Sequence, residues 1–236
     1  MSILHVLNWQ TMNQNNFCAL ICAYNEEKTI GDVIEQTSQY VKDIIVVDDG
    51  SSDKTFHKAK RAGAIILQHK KNKGKGAALK TGFDYFLKKK YDAVITLDAD
   101  GQHIPHEIPL LIEKLEDGYD AVVGKRNFKS KHIPLSRKIG NKIDSKILSL
   151  LLSYEIHDAQ SGFRLFTKKA VKAASDIKNN GFHYEIELLI RLIKKGHTIG
   201  WADISTVYES GRKSKIKPIK HIVESMRIYL KCLRNK

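Results

Sequence analysis

At 236 residues, with 42% hydrophobic content and only 4 Pro, the chain can bury roughly 70 to 75% of its unfolded surface in a single core, so one globular domain is expected. Its longest apolar run, Ile147 to Leu152, is interrupted by Ser149 and falls far short of the ~20 residues a bilayer span needs. No basic residue precedes a hydrophobic core near the N-terminus, so neither a membrane-crossing segment nor a signal peptide is expected.

The net charge of +14 is concentrated in two places. Residues 125 to 146 hold eight Lys or Arg against one acid and residues 209 to 236 hold nine against two, giving +7 each, while the rest balances at 23 and 23. All of the excess therefore forms an electrostatic face toward something anionic.

In chain order, residues 1–16 are polar and aperiodic and read as a flexible lead. Phe17 to Ala23 reads as a strand. Cys18 and Cys22 on it have Cα atoms about 13 Å apart, beyond the disulfide reach of about 7 Å. With Cys232 they make an odd number, which points to a reducing compartment. The strand runs into Tyr24-Asn25-Glu26-Glu27, and a helix from Lys28 to Tyr40 follows. Asp43 to Val47 is a second strand ending in Asp48-Asp49-Gly50-Ser51-Ser52-Asp53, with Asp53 a good N-cap for the next helix. Ala64 to Gln68 is a third strand, Gly74 to Lys88 a helix, and Ala93 to Leu97 a fourth strand. Strands alternating with helices imply parallel βαβ units, whose ligands gather at the carboxyl ends of the strands. The acids at 26, 48, 49, 98 and 100 all lie at such ends, whereas acids placed only for solvation would appear at both.

The stretch AVITLDADGQH, Ala93 to His103, carries the sharpest chemistry. Alternation along an extended chain lets Asp98, Asp100 and Gln102 project to one side at roughly 6 to 7 Å spacing, closer if the chain turns at Gly101. Three oxygen ligands suit a hard cation, Mg²⁺ or Mn²⁺, that keeps waters and takes substrate phosphates. The competing reading is a plain turn after a strand. Gly74-Lys75-Gly76 lacks the third glycine of a dinucleotide fingerprint, and there is no P-loop. Its amides and Lys75, at a helix N-terminus, are still expected to face a phosphate or an acidic loop. His103 and Glu185 read as structural.

CAYNEE at 22–27, VVDDGSSDKT at 46–55, NKGKGAALKTG at 72–82, LDADGQHIP at 97–105, GKR at 124–126, DAQSGFRLF at 158–166 and SKIKP at 214–218 together resemble the family 2 inverting glycosyltransferases. The likeness is nearest to the dolichyl- and polyprenyl-phosphate mannose synthase group and runs in order from about Phe17 to Pro218. The resemblance implies an α/β fold of the GT-A, Rossmann-like kind, with a mostly parallel central sheet covered by helices on both faces. It also implies a nucleotide-sugar donor, a divalent metal and a polyprenyl or dolichyl phosphate acceptor. By position, Tyr24, Glu26, Val47 and Asp49 would hold the nucleoside. Asp98, Asp100 and Gln102 would hold the metal, with Ala99 and Lys75 part of the donor set. Arg126 would contact the donor or acceptor phosphate. There are departures: Cys22 stands where relatives have Pro, and Glu209 aligns with an Arg of the dolichyl enzymes, leaving Arg212 for that role. Many bacterial relatives append transmembrane helices, and none is expected within these 236 residues.

A lipid monophosphate with a second pKa near 6 is largely dianionic at pH 7 and needs cations more than a base. Arg126, Arg137, Arg212 and Lys215 can supply them, and Asp158 is a candidate base or sugar-hydroxyl ligand. For Arg137 a solvated charge at a helix start is an equal reading. Ile139, Ile143, Ile147, Leu150 and Leu151 follow a helical period flanked by Lys and Arg, as do Ile219, Ile222, Val223, Met226, Leu230 and Leu233 in the tail. Such basic amphipathic helices lie on anionic membrane surfaces, unless both stripes pack on the core. The expected organisation is a lead at 1–16, a glycosyltransferase domain at 17–215 and a basic amphipathic helix at 216–236, peripheral on the cytoplasmic face of a membrane. A transferase with a soluble or cell-envelope saccharide acceptor shares the same donor site. A basic nucleic-acid-binding protein would explain the charge, but acids at successive strand ends would repel nucleic acid, so no nucleic acid is expected.

Overall fold

The computed structural model describes residues 17–127, 135–205, 207 and 225–230. Its first half alternates strand and helix: β1 (Phe17–Ala23), α1 (Ile30–Ser38), β2 (Asp43–Asp48), α2 (Thr55–Arg61), β3 (Ile65–Gln68), α3 (Lys75–Leu87) and β4 (Ala93–Asp98). A short 3-10 turn (Pro105–Glu107) leads into α4 (Ile108–Glu116) and β5 (Ala121–Arg126). Then come α5 (Leu135–Leu152), β6 (Arg164–Thr167), α6 (Lys168–Ala173), α7 (Tyr184–Lys194) and β7 (Ile199–Ile204), and residues 225–230 form a further helical turn, α8.

The described strands form one seven-stranded sheet in the order β3-β2-β1-β4-β6-β5-β7. Only β6 runs antiparallel to its neighbours, β4 and β5, while β3, β2, β1 and β4 run parallel, as do β5 and β7. Parallel strands covered on both faces need apolar side chains at every position, and β1 obeys this. Cys18 and Leu20 belong to the core on one face with Phe83, Phe86 and Tyr184, and Ala19 and Ile21 to the core on the other with Ile30, Ile34, Ile108 and Leu111. Gly82 lets α3 lie close on the sheet, because a Cβ there would meet the Leu20 side chain.

The four predicted strands and the helices between them are present, trimmed or extended by a residue or two: α1 starts at Ile30 rather than Lys28, and β4 extends to Asp98. Asp53 is displaced by one from the expected cap. Lys54 is the N-cap residue, and Asp53 Oδ1 instead accepts from the Thr55 amide at 2.9 Å. β5, β6 and β7 follow no predicted strand. They are four to six residues long, and β5 ends in Lys125-Arg126 while β6 begins with the fully buried Arg164, so charge conceals their apolar pattern.

The polarity of α5 is reversed relative to an ordinary amphipathic helix. Asn141, Asp144 and Ser145 are buried beside Leu148, while Ile139, Ile143 and Leu150 are 50%, 53% and 74% exposed. α8 repeats the pattern: Ser225 and Tyr229 are buried and Met226 and Leu230 exposed. The two helices are joined by the Tyr229 hydroxyl, which donates to Asp144 Oδ1 at 2.6 Å. Gln160 Nε2 donates to the other carboxylate oxygen at 2.5 Å.

Candidate active site

The loops after β1 and β2 are tied to each other by reciprocal hydrogen bonds. The Asn25 amide donates to Ser51 Oγ at 2.9 Å, and Asn25 Oδ1 accepts from the Ser52 amide at 2.9 Å. The Glu27 amide donates to Asp53 Oδ2 at 3.1 Å, and Glu27 Oε2 accepts from the Lys54 amide at 3.1 Å. Asn25 takes a positive φ of 53° to make this turn, a conformation Asn tolerates through its short polar side chain. Burial raises the Asp53 carboxyl, but the Thr55 hydroxyl and amide and the Glu27 amide outweigh it and hold it below its ordinary range.

Asp49 anchors a third loop. Its Oδ1 accepts from His69 Nδ1 at 2.6 Å and from the Lys73 amide at 2.9 Å, and its Oδ2 accepts from the Gly74 amide at 2.8 Å. Gly50 has φ +73°, and a Cβ there would sit 2.5 Å from the Lys71 carbonyl carbon, so only glycine lets the loops approach. Between them opens a cleft of about 300 Å³ lined by Gly50, Ser51, Gln68, His69 and Lys70.

At the end of β4 lies a partly buried charge cluster. Lys75, the first residue of α3, places Nζ 2.6 Å from Asp98 Oδ1 and 3.0 Å from Glu185 Oε2 at the start of α7. Burial pushes the Asp98 carboxyl up, but Lys75 and then His103 outweigh it and hold it at about 2. The Asp98 amide donates to His103 Nδ1 at 3.1 Å, and the His103 ring stacks on Phe163 at 5.3 Å between centroids. Burial keeps this imidazole neutral, with its pKa pushed down to about 4 against the opposing pull of Asp98. Gly162 roofs the cluster: a Cβ there would lie 2.7 Å from Asp98 Oδ2 and 3.0 Å from Lys75 Nζ.

Beside it, the Arg126 guanidinium at the end of β5 clasps Asp158 in a fork, Nε to Oδ2 at 2.7 Å and Nη2 to Oδ1 at 2.9 Å. Asp158 is 0% exposed and also accepts from the amides of Arg126 and Gln160. In this geometry the carboxylate supports Arg126 and is not placed as an accessible base. Arg164 is buried with its nitrogens donating to the carbonyls of Ser161, Glu185 and Ala159 at 2.6, 2.8 and 3.0 Å. It thereby pins the loop over Asp98 and the helix start that presents Glu185.

Of the residues singled out from sequence, Tyr24 is 39% exposed at the end of β1, and Glu26 is buried with its amide donating to Thr55 Oγ1 at 2.8 Å. Val47 is fully buried inside β2, so its side chain faces the core and only its main chain can face a nucleoside. Ala99 is buried, with its carbonyl accepting from Thr29 Oγ1 at 2.7 Å. Asp100 Oδ1 accepts from the Gln102 amide at 3.1 Å, which turns the segment after Asp98 back on itself around Gly101 at φ +74°. Lys75 faces acids, one of the two expected outcomes. The Arg137 side chain, Arg212 and Lys215 lie outside what is described. Glu185, read as structural from sequence, joins the charge cluster. Its signal was an acid at a core position of α7, with Leu189 and Leu192 below it on the buried face.

No three Asp, Glu, His or Cys side chains converge as a self-sufficient metal cage among the described residues. The donor set at Asp98, Asp100 and Gln102 is all oxygen. It fits a hard cation that binds through one or two carboxylates and completes its shell with water and substrate phosphate.

Comparison with known proteins agrees with this layout. The model of glycosyl transferase family 2 matches residues 18–174, from β1 to the end of α6. A UDP-N-acetylglucosamine–dolichyl-phosphate N-acetylglucosaminyltransferase of Methanococcus voltae is 38% identical over 216 residues, covering 80% of this chain and 84% of that protein. A polyprenol monophosphomannose synthase of Mycolicibacterium smegmatis is 28% identical over 193 residues, covering 76% of this chain and 73% of that one. In structure, the chain resembles glucosyl-3-phosphoglycerate synthase from Mycobacterium tuberculosis, crystallised with Mn²⁺, UDP and phosphoglyceric acid. The TM-score is 0.72 at 20% identity, over 98% of this chain and 81% of that one, a likeness of GT-A fold. With the matched span enclosing both latched loops, the Asp98 segment and the Arg126–Asp158 fork, the chain belongs to glycosyl transferase family 2 and is a glycosyltransferase.

Proposed function

We propose that this glycosyltransferase moves a hexose from a nucleotide sugar of the GDP-mannose or UDP-glucose type to a polyprenyl or dolichyl phosphate. It does so with Mg²⁺ or Mn²⁺ held by Asp98, Asp100 and Gln102, while resting on an anionic membrane surface. The observation that carries the acceptor class is the reversed polarity of α5 and α8. Ile139, Ile143, Leu150, Met226 and Leu230 point outward among the exposed Lys142, Lys146 and Arg227, while polar side chains point inward. An apolar face interleaved with cations matches a bilayer interface, where alkyl groups enter the headgroup boundary and ammonium groups meet lipid phosphate. No helix among the described residues is long and apolar enough to cross a membrane.

When bound, the cation acts as a Lewis acid that stabilises the charge developing on the leaving nucleoside diphosphate. The chain supplies the placement. The nucleoside takes the cleft lined by Gly50, Gln68 and His69. Arg126, fixed in direction by the buried Asp158, presents a planar guanidinium to phosphate rather than a mobile point charge. An acceptor phosphate already dianionic at pH 7 needs no proton removed, which agrees with the burial of Asp158. Arg137, Arg212 and Lys215, which lie outside the described side chains, are the further cations this reading assigns to the acceptor phosphate. The relatives named for dolichyl and polyprenol phosphate support the acceptor, and the Methanococcus voltae relative favours a UDP-activated sugar.

The test is nucleoside diphosphate release from a panel of UDP- and GDP-sugars, with polyprenyl phosphate in vesicles, with phosphoglyceric acid, and with neither. Release that depends on polyprenyl phosphate is the expected result. Release that depends only on the soluble acid would overturn the lipid reading.

A further inference from the structure

The placement of Lys75 is costly in isolation. It stands at the first position of a thirteen-residue helix, where the aligned peptide dipoles disfavour a cation, and its side chain is turned into the interior. What holds it there is the pair of carboxylates from β4 and α7, Asp98 Oδ1 at 2.6 Å and Glu185 Oε2 at 3.0 Å. Gly162 packs against the pair, so that a Cβ there would displace the Asp98 and Lys75 side chains, and Arg164 fixes the Glu185 main chain. The ammonium therefore occupies an oxygen of the very carboxylate assigned to the divalent cation.

We propose that Lys75 is a resident counter-ion that makes metal binding conditional on the diphosphate. This inference rests on the metal reading above. A bare divalent cation reaching Asp98 must compete with a largely buried ammonium for the same carboxylate and then sit beside its positive charge. A cation that arrives with a nucleoside diphosphate brings the negative charge that Lys75 needs on leaving Asp98, while Glu185 keeps the side chain at the site. Lys75 thus opposes the metal alone and favours metal and diphosphate together, so the two ligands bind with positive coupling, equal in both directions.

The experiment is calorimetric titration of the full chain with Mn²⁺, without nucleotide and with saturating UDP or GDP. In the native protein, Mn²⁺ is expected to bind at least tenfold tighter when the diphosphate is present. In Lys75→Gln, Mn²⁺ alone is expected to bind at least tenfold tighter than to the native chain, while UDP in saturating Mn²⁺ binds at least threefold weaker. The two changes have opposite sign, whereas a variant that merely loosened the site would weaken both. Lys73→Gln, which removes the same charge from an exposed position two residues away, is expected to change each affinity less than twofold. Equal Mn²⁺ affinity in native and Lys75→Gln chains, or an equal gain in Lys73→Gln, would overturn the inference. If Lys75→Gln does not fold, the native titration alone decides, because no coupling between Mn²⁺ and the diphosphate would overturn it. Failure of every chain to bind Mn²⁺ even with UDP or GDP would instead sink the metal reading itself.

Discussion

The strand-end site and the α5–α8 face invert each other. At the strand ends, charged side chains are drawn inside and paired: Lys75 with Asp98 and Glu185, Arg126 with Asp158, and Asp49 with His69 and two amides. On the outer face of α5 and α8, apolar side chains are left out in solvent while Asn141, Asp144, Ser145 and Tyr229 are buried beneath them. Each arrangement is unfavourable for a folded chain on its own. Buried charge loses hydration, and Ile and Leu left half or more exposed forgo a large part of the roughly 1.5 to 3 kcal/mol that full burial is worth. A polar interior is stabilising only where geometry saturates it, and an apolar exterior only where a partner covers it. On the function proposed above, the first is the reaction site and the second the surface that meets the membrane.

The largest effect that separates the two regions is expected at Asp100. Asp100→Asn should reduce turnover about a thousandfold, the scale of losing one placed electrostatic group. The thermal midpoint should change far less than turnover, since asparagine keeps the side-chain oxygen that accepts from the Gln102 amide. Full turnover in the variant, or in excess chelator, would remove the metal from the account.

Two adjacent residues of β5 give the next contrast. Arg126→Ala strands the fully buried Asp158, and should cost about 3 to 5 kcal/mol of stability together with activity. Lys125→Ala breaks only the pair with the 82% exposed Asp203 and should cost less than about 1 kcal/mol. Denaturant unfolding of both variants measures this, and equal losses would mean that the fork is not what stabilises the site.

On the outer face the sign changes. Ile143→Glu combined with Leu230→Glu should leave the thermal midpoint unchanged, because neither side chain packs in the core, yet lower affinity for anionic vesicles at least tenfold. Co-sedimentation with vesicles tests this, and activity on a short water-soluble prenyl phosphate should survive. A fall in the midpoint with vesicle binding intact would make the face an internal contact.

Smaller still is Tyr229→Phe. It keeps the ring in the core but leaves Asp144 one donor short, at a cost of about 1 to 2 kcal/mol. In a chain of this size that lowers the midpoint by roughly 2 to 8 °C. No shift would mean that α8 is held by its apolar contacts alone.

The least effect concerns acid. Asp53 is held below its ordinary carboxyl range by the Thr55 and Glu27 donors, so its folded pKa lies under its unfolded one. The latch therefore contributes stability above about pH 4, and that contribution is lost as pH falls through the folded value, because the unfolded chain takes up the proton first. Asp53→Asn should flatten the acid limb of a stability-against-pH curve, and an unchanged limb would show that the latch does not titrate with folding.

Strand and helix order through β4, the gathering of acids at strand ends and the family were legible in the residues themselves, because period, N-cap chemistry and motif order are local. So was the ambiguity at Lys75, whose position at a helix start allowed a phosphate or an acidic partner. Only the fold chose the acid, by carrying Glu185 from 110 residues away to the same ammonium that meets Asp98. β6 escaped notice because a buried Arg164 breaks its apolar pattern, and the partners that make that burial tolerable are three carbonyls, which leave no trace in residue identity. Val47 shows the same limit: its position matched a binding motif, but strand pairing on both sides sends its side chain into the core. The apolar stripe of α5 was equally visible in the sequence, while its direction was not. A helical period says which residues share a face, but whether that face meets protein or solvent depends on what packs beneath it. Here the Asp144 hydrogen bonds to Tyr229 and Gln160 hold the polar face inward.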